Sequence, residues 1–289
     1  ITVMACTQLL KTELLNNAVG YFIDQDPCPM LLVQPTESMA ETWSKTRLAP
    51  MIRDTACLKD KIKEARSRDS GNTILEKVFP GGSISMVGAN SPTGLASRPI
   101  RVCLYDEVDK YPASAGSEGD PIALGDERSA TFHNRLSVRV CSPTVKGTSR
   151  IERSWLDSDQ RQYFVPCPLC VEEQILQWSQ VRWDKDAQGK HLPATAAYEC
   201  EHCQGKWSEA ERLASIQRGR WVATQPFNGH AGFQVNKLAS PWQTLPDLVQ
   251  KWLKSYKNPE LKRVFINTQL AEVVEEEDEK VADNEHMSR

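Results

Sequence analysis

The 289-residue sequence contains no apolar run approaching the roughly 20 residues that a bilayer-spanning helix requires, which excludes a helical membrane protein. It also lacks a basic-then-apolar leader, since its first residues, ITVMA, read as a short strand. Neither sign of charge is in excess: 35 Lys and Arg against 38 Asp and Glu leave a formal charge of −3. That excludes a protein that coats nucleic acid by bulk charge, while a local basic groove stays open. There is no internal repeat and no low-complexity tract. Hydrophobic residues make up 40% and charged residues 25%, the composition of an ordinary globular protein with room for a substantial core. No initiator Met precedes Ile1, which falls inside an apolar strand, so the sequence reads as a piece of a longer protein. Cysteine is not scarce. Nine cysteines without a secretory signal point to reduced thiols or metal ligands and not to a disulfide framework.

What is present is an alternation of short β-rich runs with helical stretches, the pattern of βαβ units on a mostly parallel sheet. Runs at 1–5, 30–34, 83–88, 101–105 and 136–141 read as strands. The Leu and Val spacing of 10–23 reads as a helix, and 36–66 as one helix or two, marked by Met39, Trp43, Leu48 and Met51. A Gly/Ser/Pro-rich loop over 112–122 should be exposed. Residues 160–225 are short-stranded, aromatic and bounded by CPLC and CEHC, and 226–271 offer a strand in GHAGFQVNKL followed by helices near 245–256 and 259–270. The acidic end, VVEEEDEKVADNEHMSR, has no apolar period and reads as a linker or frayed terminus. The expected division is therefore 1–159, 160–225, 226–271 and 272–289.

Four motifs carry chemistry. In ITVMACTQLLKTE a strand turns into Lys11-Thr12 at a helix start, the layout of a phosphate-binding loop. The usual glycines at both ends of that loop are lacking. Ala5 is a mild change, whereas Leu10 restricts the φ > 0 geometry that glycine allows before the lysine. RVCLYDEVDKYP places Asp106-Glu107 at the end of a buried strand, where an Asp can hold Mg²⁺ and a Glu can orient an attacking water; a solvated acidic turn, with Asp109 and Lys110, is the plainer reading. Ser142-Pro143-Thr144 and Gln34-Pro35-Thr36 each end a β-rich run. Each also reads as an ordinary turn or helix cap, and their order in the chain is what favours more. Finally, Cys167, Cys170, Cys200 and Cys203 form two CxxC pairs, a structural zinc signature whose long spacer, residues 171–199, needs an inserted hairpin with Trp178, Trp183 and Tyr198 in its strands. His202 could compete as a ligand, and Cys6, Cys28, Cys57, Cys103 and Cys141 read as small core residues.

In this order, QLLKTE, DPCPMLLVQPT, RVCLYDEVDKYP, SVRVCSPTVKGTSRIE, YFVPCPLC and GHAGFQVNKLASPW resemble the phage terminase large subunit of GpA type over roughly residues 1–275. The resemblance implies an α/β P-loop NTPase of helicase-like fold with a small zinc-ribbon-like β unit and C-terminal helices. It implies an ATP-driven motor that packages double-stranded DNA into procapsids, working with a small subunit and a portal as a homo-oligomer in the host cytoplasm. By position, Gln8, Lys11 and Thr12 would bind ATP, Thr12 and Asp106 would hold Mg²⁺, and Glu107 would be catalytic. Ser142 and Thr144 would couple hydrolysis to DNA movement, and the four cysteines would hold Zn²⁺. Gln34-Pro35-Thr36 would correspond to a segment touching the nucleic-acid backbone. An arginine acting on the γ-phosphate is also implied; Arg98, Arg101, Arg128, Arg135, Arg139 and Arg150 are equal candidates. The adenine-contacting segment would precede Ile1 and the nuclease domain would follow the chain, and the acids at 275–279 read as solvated, so no nuclease activity is expected. A helicase-like nucleic-acid remodeller and a degenerate, non-hydrolysing binding module are the alternatives.

Overall fold

The computed structural model describes residues 1–9, 11–62 and 72–275. Thirteen strands are present among them: β1 (Thr2–Ala5), β2 (Pro29–Gln34), β3 (Glu76–Phe79), β4 (Gly82–Gly88), β5 (Val102–Asp106), β6 (Leu136–Cys141), β7 (Arg161–Pro166), β8 (Glu173–Ile175), β9 (Val181–Lys185), β10 (His191–Glu199), β11 (Lys206–Trp207), β12 (Arg220–Ala223) and β13 (Gly232–Val235). The principal helices are α1 (Lys11–Asp24), α2 (Glu37–Trp43), α3 (Ala49–Asp54), α4 (Ala56–Lys59), α5 (Pro92–Ala96), α6 (Pro121–Glu127), α7 (Arg150–Leu156), α8 (Glu209–Gln217), α9 (Leu245–Ser255) and α10 (Pro259–Phe265).

The central sheet runs β12-β7-β13-β1-β6-β5-β2-β4-β3, with β8 added to β7. From β7 through β4 every pairing is parallel. That is why β2 and β5 read as unbroken apolar runs: helices cover both faces, and all five residues of β5 are buried. On one face α1 contributes Leu15, Val19, Phe22 and Ile23 to a cluster with Met30, Leu32 and Leu104. On the other, Leu31, Val33 and Tyr105 meet Leu95, Ile122, Ile151 and Trp155. Caps fix the helix starts. Thr36 accepts from the Met39 amide, and Ser149 from the Glu152 amide.

Several expectations change in detail. The helical stretch after β2 is broken by a π turn at Ser44–Leu48, and the last helix ends in another at Ile266–Leu270. The segment expected to be an exposed loop over 112–122 buries Ala115, and Asp120 caps α6 from Pro121. Trp178 lies in a 3₁₀ turn and not in a strand, because its ring packs on Trp252 and Phe265. Cys57 is exposed, unlike Cys6, Cys28, Cys103 and Cys141. The cysteine-bearing region is also less separate than its composition suggests. Its strands β7 and β12 extend the central sheet, and only β9, β10 and β11 form a sheet of their own. The Leu10 and 276–289 readings fall outside the described residues.

Candidate functional site

Strands β1, β6 and β5 lie side by side and bring the ends of three motifs together at one sheet edge. After β1 the chain turns at residues 6–9, with Gln8 at φ 51°, and enters α1 at Lys11. Lys11 is buried; its ammonium donates to Ser142 Oγ at 2.5 Å and to the Ala5 carbonyl at 3.3 Å, and Ser142 Oγ donates to the same carbonyl at 2.8 Å. Thus the first and third motifs are joined by direct hydrogen bonds between residues far apart in sequence.

Asp106 and Glu107 end β5 differently. Asp106 is buried, its Oδ2 accepts from the Gln34 amide at 3.0 Å, and its Oδ1 meets no partner among the described residues. Burial pushes its carboxyl above the usual aspartate range, the Gln34 amide lowers it, Glu107 raises it and Lys11 lowers it. Glu107 occupies the left-handed region, φ 56°, a conformation that a non-glycine residue adopts against a steric penalty of about 1 kcal/mol or more. Its backbone N–H is held by the Val140 carbonyl at 2.8 Å, and its carboxylate pairs with Lys110 at 3.1 Å. Glu107 lines a cleft of about 660 Å³ together with residues 7–9, Lys11, Thr12, Glu13, Arg47 and Trp242.

The sequence reading is thereby sorted. Gln8, Lys11, Thr12 and Glu107 share the cleft, Ser142 is joined to it through Lys11, and Asp106 lies beneath it, next to Glu107 in the chain and bonded to Gln34. Gln34 does not reach outward as a backbone-touching segment would, because its buried amide is committed to Asp106. Thr144 points away from Lys11: its hydroxyl donates to Asp109 at 2.8 Å, and Asp109 also receives Ser149 Oγ and the Ile151 amide. Asp109 is therefore the anchor of α7 and not a solvated turn residue.

None of the six candidate arginines lines the cleft. Arg98, Arg101, Arg139 and Arg150 pair with Glu76, Asp26, Asp126 and Asp120, Arg128 donates to the Ala96 carbonyl, and Arg135 lies in a separate pocket beside Ile1. The arginine that does line it is Arg47, on the π turn and 3.6 Å from Glu13. Arg47 stands near no motif, and Trp242, although it ends the GHAGFQVNKLASPW segment, is not marked by it as a cleft residue, so only the folded chain places them there.

The loop between β1 and α1 is tied to the C-terminal segment. The Thr7 amide donates to Thr268 O at 2.8 Å, the Cys6 amide to Val235 O at 3.1 Å, and the buried Lys237 ammonium to Thr7 O at 2.5 Å. Asn267 donates to Thr144 O at 2.7 Å, and Val274 pairs with Val145, so the turn after β6 is held from the same side.

The four cysteine sulfurs lie within 4.8 Å of one another, with Cys167 and Cys203 at 3.9 Å and Cys170 and Cys200 at 3.8 Å. A tetrahedral Zn–S₄ site with bonds of about 2.3 Å separates its sulfurs by roughly 3.8 Å, so the set could hold a metal ion. Burial pushes the Cys200 thiol up, but the Cys203 and His202 amides and the Gln174 side chain outweigh it and hold it at about 6. His202 instead pairs with Glu201.

The family model described as phage terminase large subunit gpA, ATPase domain, matches residues 1–221, and that of the terminase large subunit gpA endonuclease domain matches 230–289. The chain is 28% identical over 294 residues to the terminase large subunit of Enterobacteria phage P21 and 26% identical over 301 residues to that of Escherichia phage lambda, covering 92% and 95% of this chain. It spans only 44% and 46% of those relatives. Its fold is similar to the large terminase ATPase domain of Thermus phage P74-26, with a TM-score of 0.51 and 13% identity over 94% of this chain and 88% of that one.

Proposed function

Because the chain belongs to the phage terminase large subunit gpA family, we propose that it is the ATP-hydrolysing portion of a motor that moves double-stranded DNA into a procapsid. The observation that carries this reading is the Lys11–Ser142 hydrogen bond, with Lys11 lining the same cleft as Glu107, since it links a lysine suited to phosphate, a carboxylate suited to activate water and a serine suited to coupling. In this reading Lys11 and the α1 N-terminus hold the triphosphate, with Gln8 in the loop beside it. Thr12 and Asp106 would hold Mg²⁺, and the partnerless Oδ1 of Asp106 fits that use. Bound there, Mg²⁺ would neutralise charge on the phosphate oxygens. Glu107 orients the attacking water and accepts its proton. Arg47, which lines the cleft beside Glu13, would add positive charge toward the phosphates. Ser142 senses the occupied cleft through Lys11, and Thr144 passes this on through Asp109 to α7. Zn²⁺ in the four-cysteine site would close a small β unit with little core of its own. The small subunit, the portal, homo-oligomeric assembly and the host cytoplasm complete the reading by the family resemblance.

DNA-stimulated ATP hydrolysis tests it. Lys11→Ala and Glu107→Gln should each reduce kcat at least 100-fold in folded protein, a loss of about 2.7 kcal/mol or more of transition-state stabilisation. Unchanged turnover in Glu107→Gln would remove the assignment. One feature favours a second reading, a non-hydrolysing binding module: the amides of Cys6, Thr7 and Lys11 are already engaged by carbonyls. That reading expects folded wild-type protein with no turnover and no ATP affinity.

A further inference from the structure

Trp242 is the most exposed of the eight tryptophans, at 71%, and the one aromatic among the described residues that line the cleft. Its backbone is nevertheless held firmly. Ser240 Oγ accepts the Trp242 amide at 3.3 Å, and the fully buried Arg212 donates to the carbonyls on either side, Ser240 at 3.3 Å and Gln243 at 3.0 Å, and to Leu238. A little earlier, Lys237 ties the same segment to the phosphate loop at Thr7. An indole projected from pinned backbone, with no ring partner among the described residues, is a preorganised stacking surface.

Its surroundings say what it would stack on. The cleft, about 660 Å³, is of a size that takes a whole nucleoside triphosphate. Lys11 and Thr12 account for the phosphate end alone. The charged side chains of the lining are already paired, Glu13 with Arg47 and Glu107 with Lys110. A neutral, flat, apolar group attached to the phosphates is what remains for the Trp242 wall.

We propose that Trp242 forms one side of a nucleobase subsite and stacks on the purine of the bound triphosphate. This deepens the ATPase reading and rests on it. The subsite comes from the segment after β13. Stacking on an aromatic tolerates any base, so the subsite adds affinity with little discrimination between ATP and GTP.

Calorimetric titration of ATP and of inorganic tripolyphosphate, both with Mg²⁺, against wild type, Trp242→Ala and Trp242→Phe tests the proposal. Trp242→Ala should weaken ATP binding about tenfold, the lower part of the range for a lost base–aromatic stack, and leave tripolyphosphate affinity unchanged. Trp242→Phe should recover most of the loss. Equal weakening of both ligands, or no change in either, overturns the subsite while leaving the phosphate site intact. Wild-type protein that binds neither ligand overturns the ATPase reading itself, and the subsite with it. Since Trp242 is exposed, unchanged melting temperatures in both variants should show that the fold is unaffected.

Discussion

Asp106 pits stability against chemistry at a single side chain. Its carboxylate is buried, one oxygen is satisfied by Gln34, and the other faces no described partner. Burial is the largest influence on its titration and raises it above 3.8, the unfolded value. A raised carboxyl means that the folded state holds its proton more tightly than the unfolded chain. Stability is therefore greatest below about pH 3.8 as far as this group is concerned, and is lost as pH rises through the folded value. Asp106→Asn removes the charge and keeps the Gln34 contact. The variant should melt at a higher temperature than wild type at pH 7, with the gain shrinking toward pH 4, while Mg²⁺-dependent turnover disappears. Equal melting curves at pH 7 in the absence of Mg²⁺ would contradict this account. At this scale much of the site is legible in the sequence. Lys11, Asp106, Glu107 and Ser142 each end or follow a β-rich run, and parallel strands bring such ends to one edge. Arg47 is not legible, because it arrives from a π turn that no local pattern marks, and Trp242, although it ends the GHAGFQVNKLASPW segment, carries no signal of its place at the cleft.

Among the elements, α8 matters beyond its size. It opens with a capping box, in which Ser208 accepts from the Glu211 amide and Glu211 reaches back to the Ser208 amide, and it carries Arg212 fully inside the protein. Arg212 pairs with Glu209 and donates to the carbonyls of Leu238, Ser240 and Gln243, so it joins the cysteine unit to the segment that follows β13. Arg212→Leu leaves those carbonyls without their donor. It should destabilise the protein by about 3 kcal/mol in urea unfolding, and Arg212→Lys should recover only part, since a point ammonium cannot serve a fork of acceptors. A loss below about 0.5 kcal/mol would show that water replaces the guanidinium freely. Nothing in the sequence distinguishes Arg212 from the surface arginines, because its burial depends on contacts formed across the chain. The CxxC pairs, by contrast, are legible as a cluster that could hold a metal ion, since close sequence spacing already places each pair on one turn. Trp178 was misplaced because the period of a short β-rich stretch says nothing about the rings of α9 and α10 that draw it into a turn.

For the molecule as a whole, the main question is where the ATPase region ends. The endonuclease-domain family model begins its match at 230, yet β13, Gly232–Val235, lies inside the central sheet with parallel neighbours on both sides, β1 and β7. The fit is close. A Cβ at Gly232 would stand 1.8 Å from Ser158 Oγ, so the strand enters where only glycine can. The segment after β13 then holds the loop between β1 and α1 through Lys237 and Thr268, and the turn after β6 through Asn267 and Val274. Similarity to a solved terminase ATPase domain over 94% of the chain is consistent with that arrangement. A cut after residue 229 would leave β1 facing water along the edge that now pairs with β13, and would release both motif loops. Protein 1–229 should therefore lose cooperative thermal unfolding and expose apolar surface, whereas protein 1–275 should unfold in a single transition near that of the whole chain. Circular dichroism melting with dye binding distinguishes the two. A cooperative 1–229 fragment melting within a few degrees of the parent would mean that the sheet can close without β13, and that the family boundary marks the physical one.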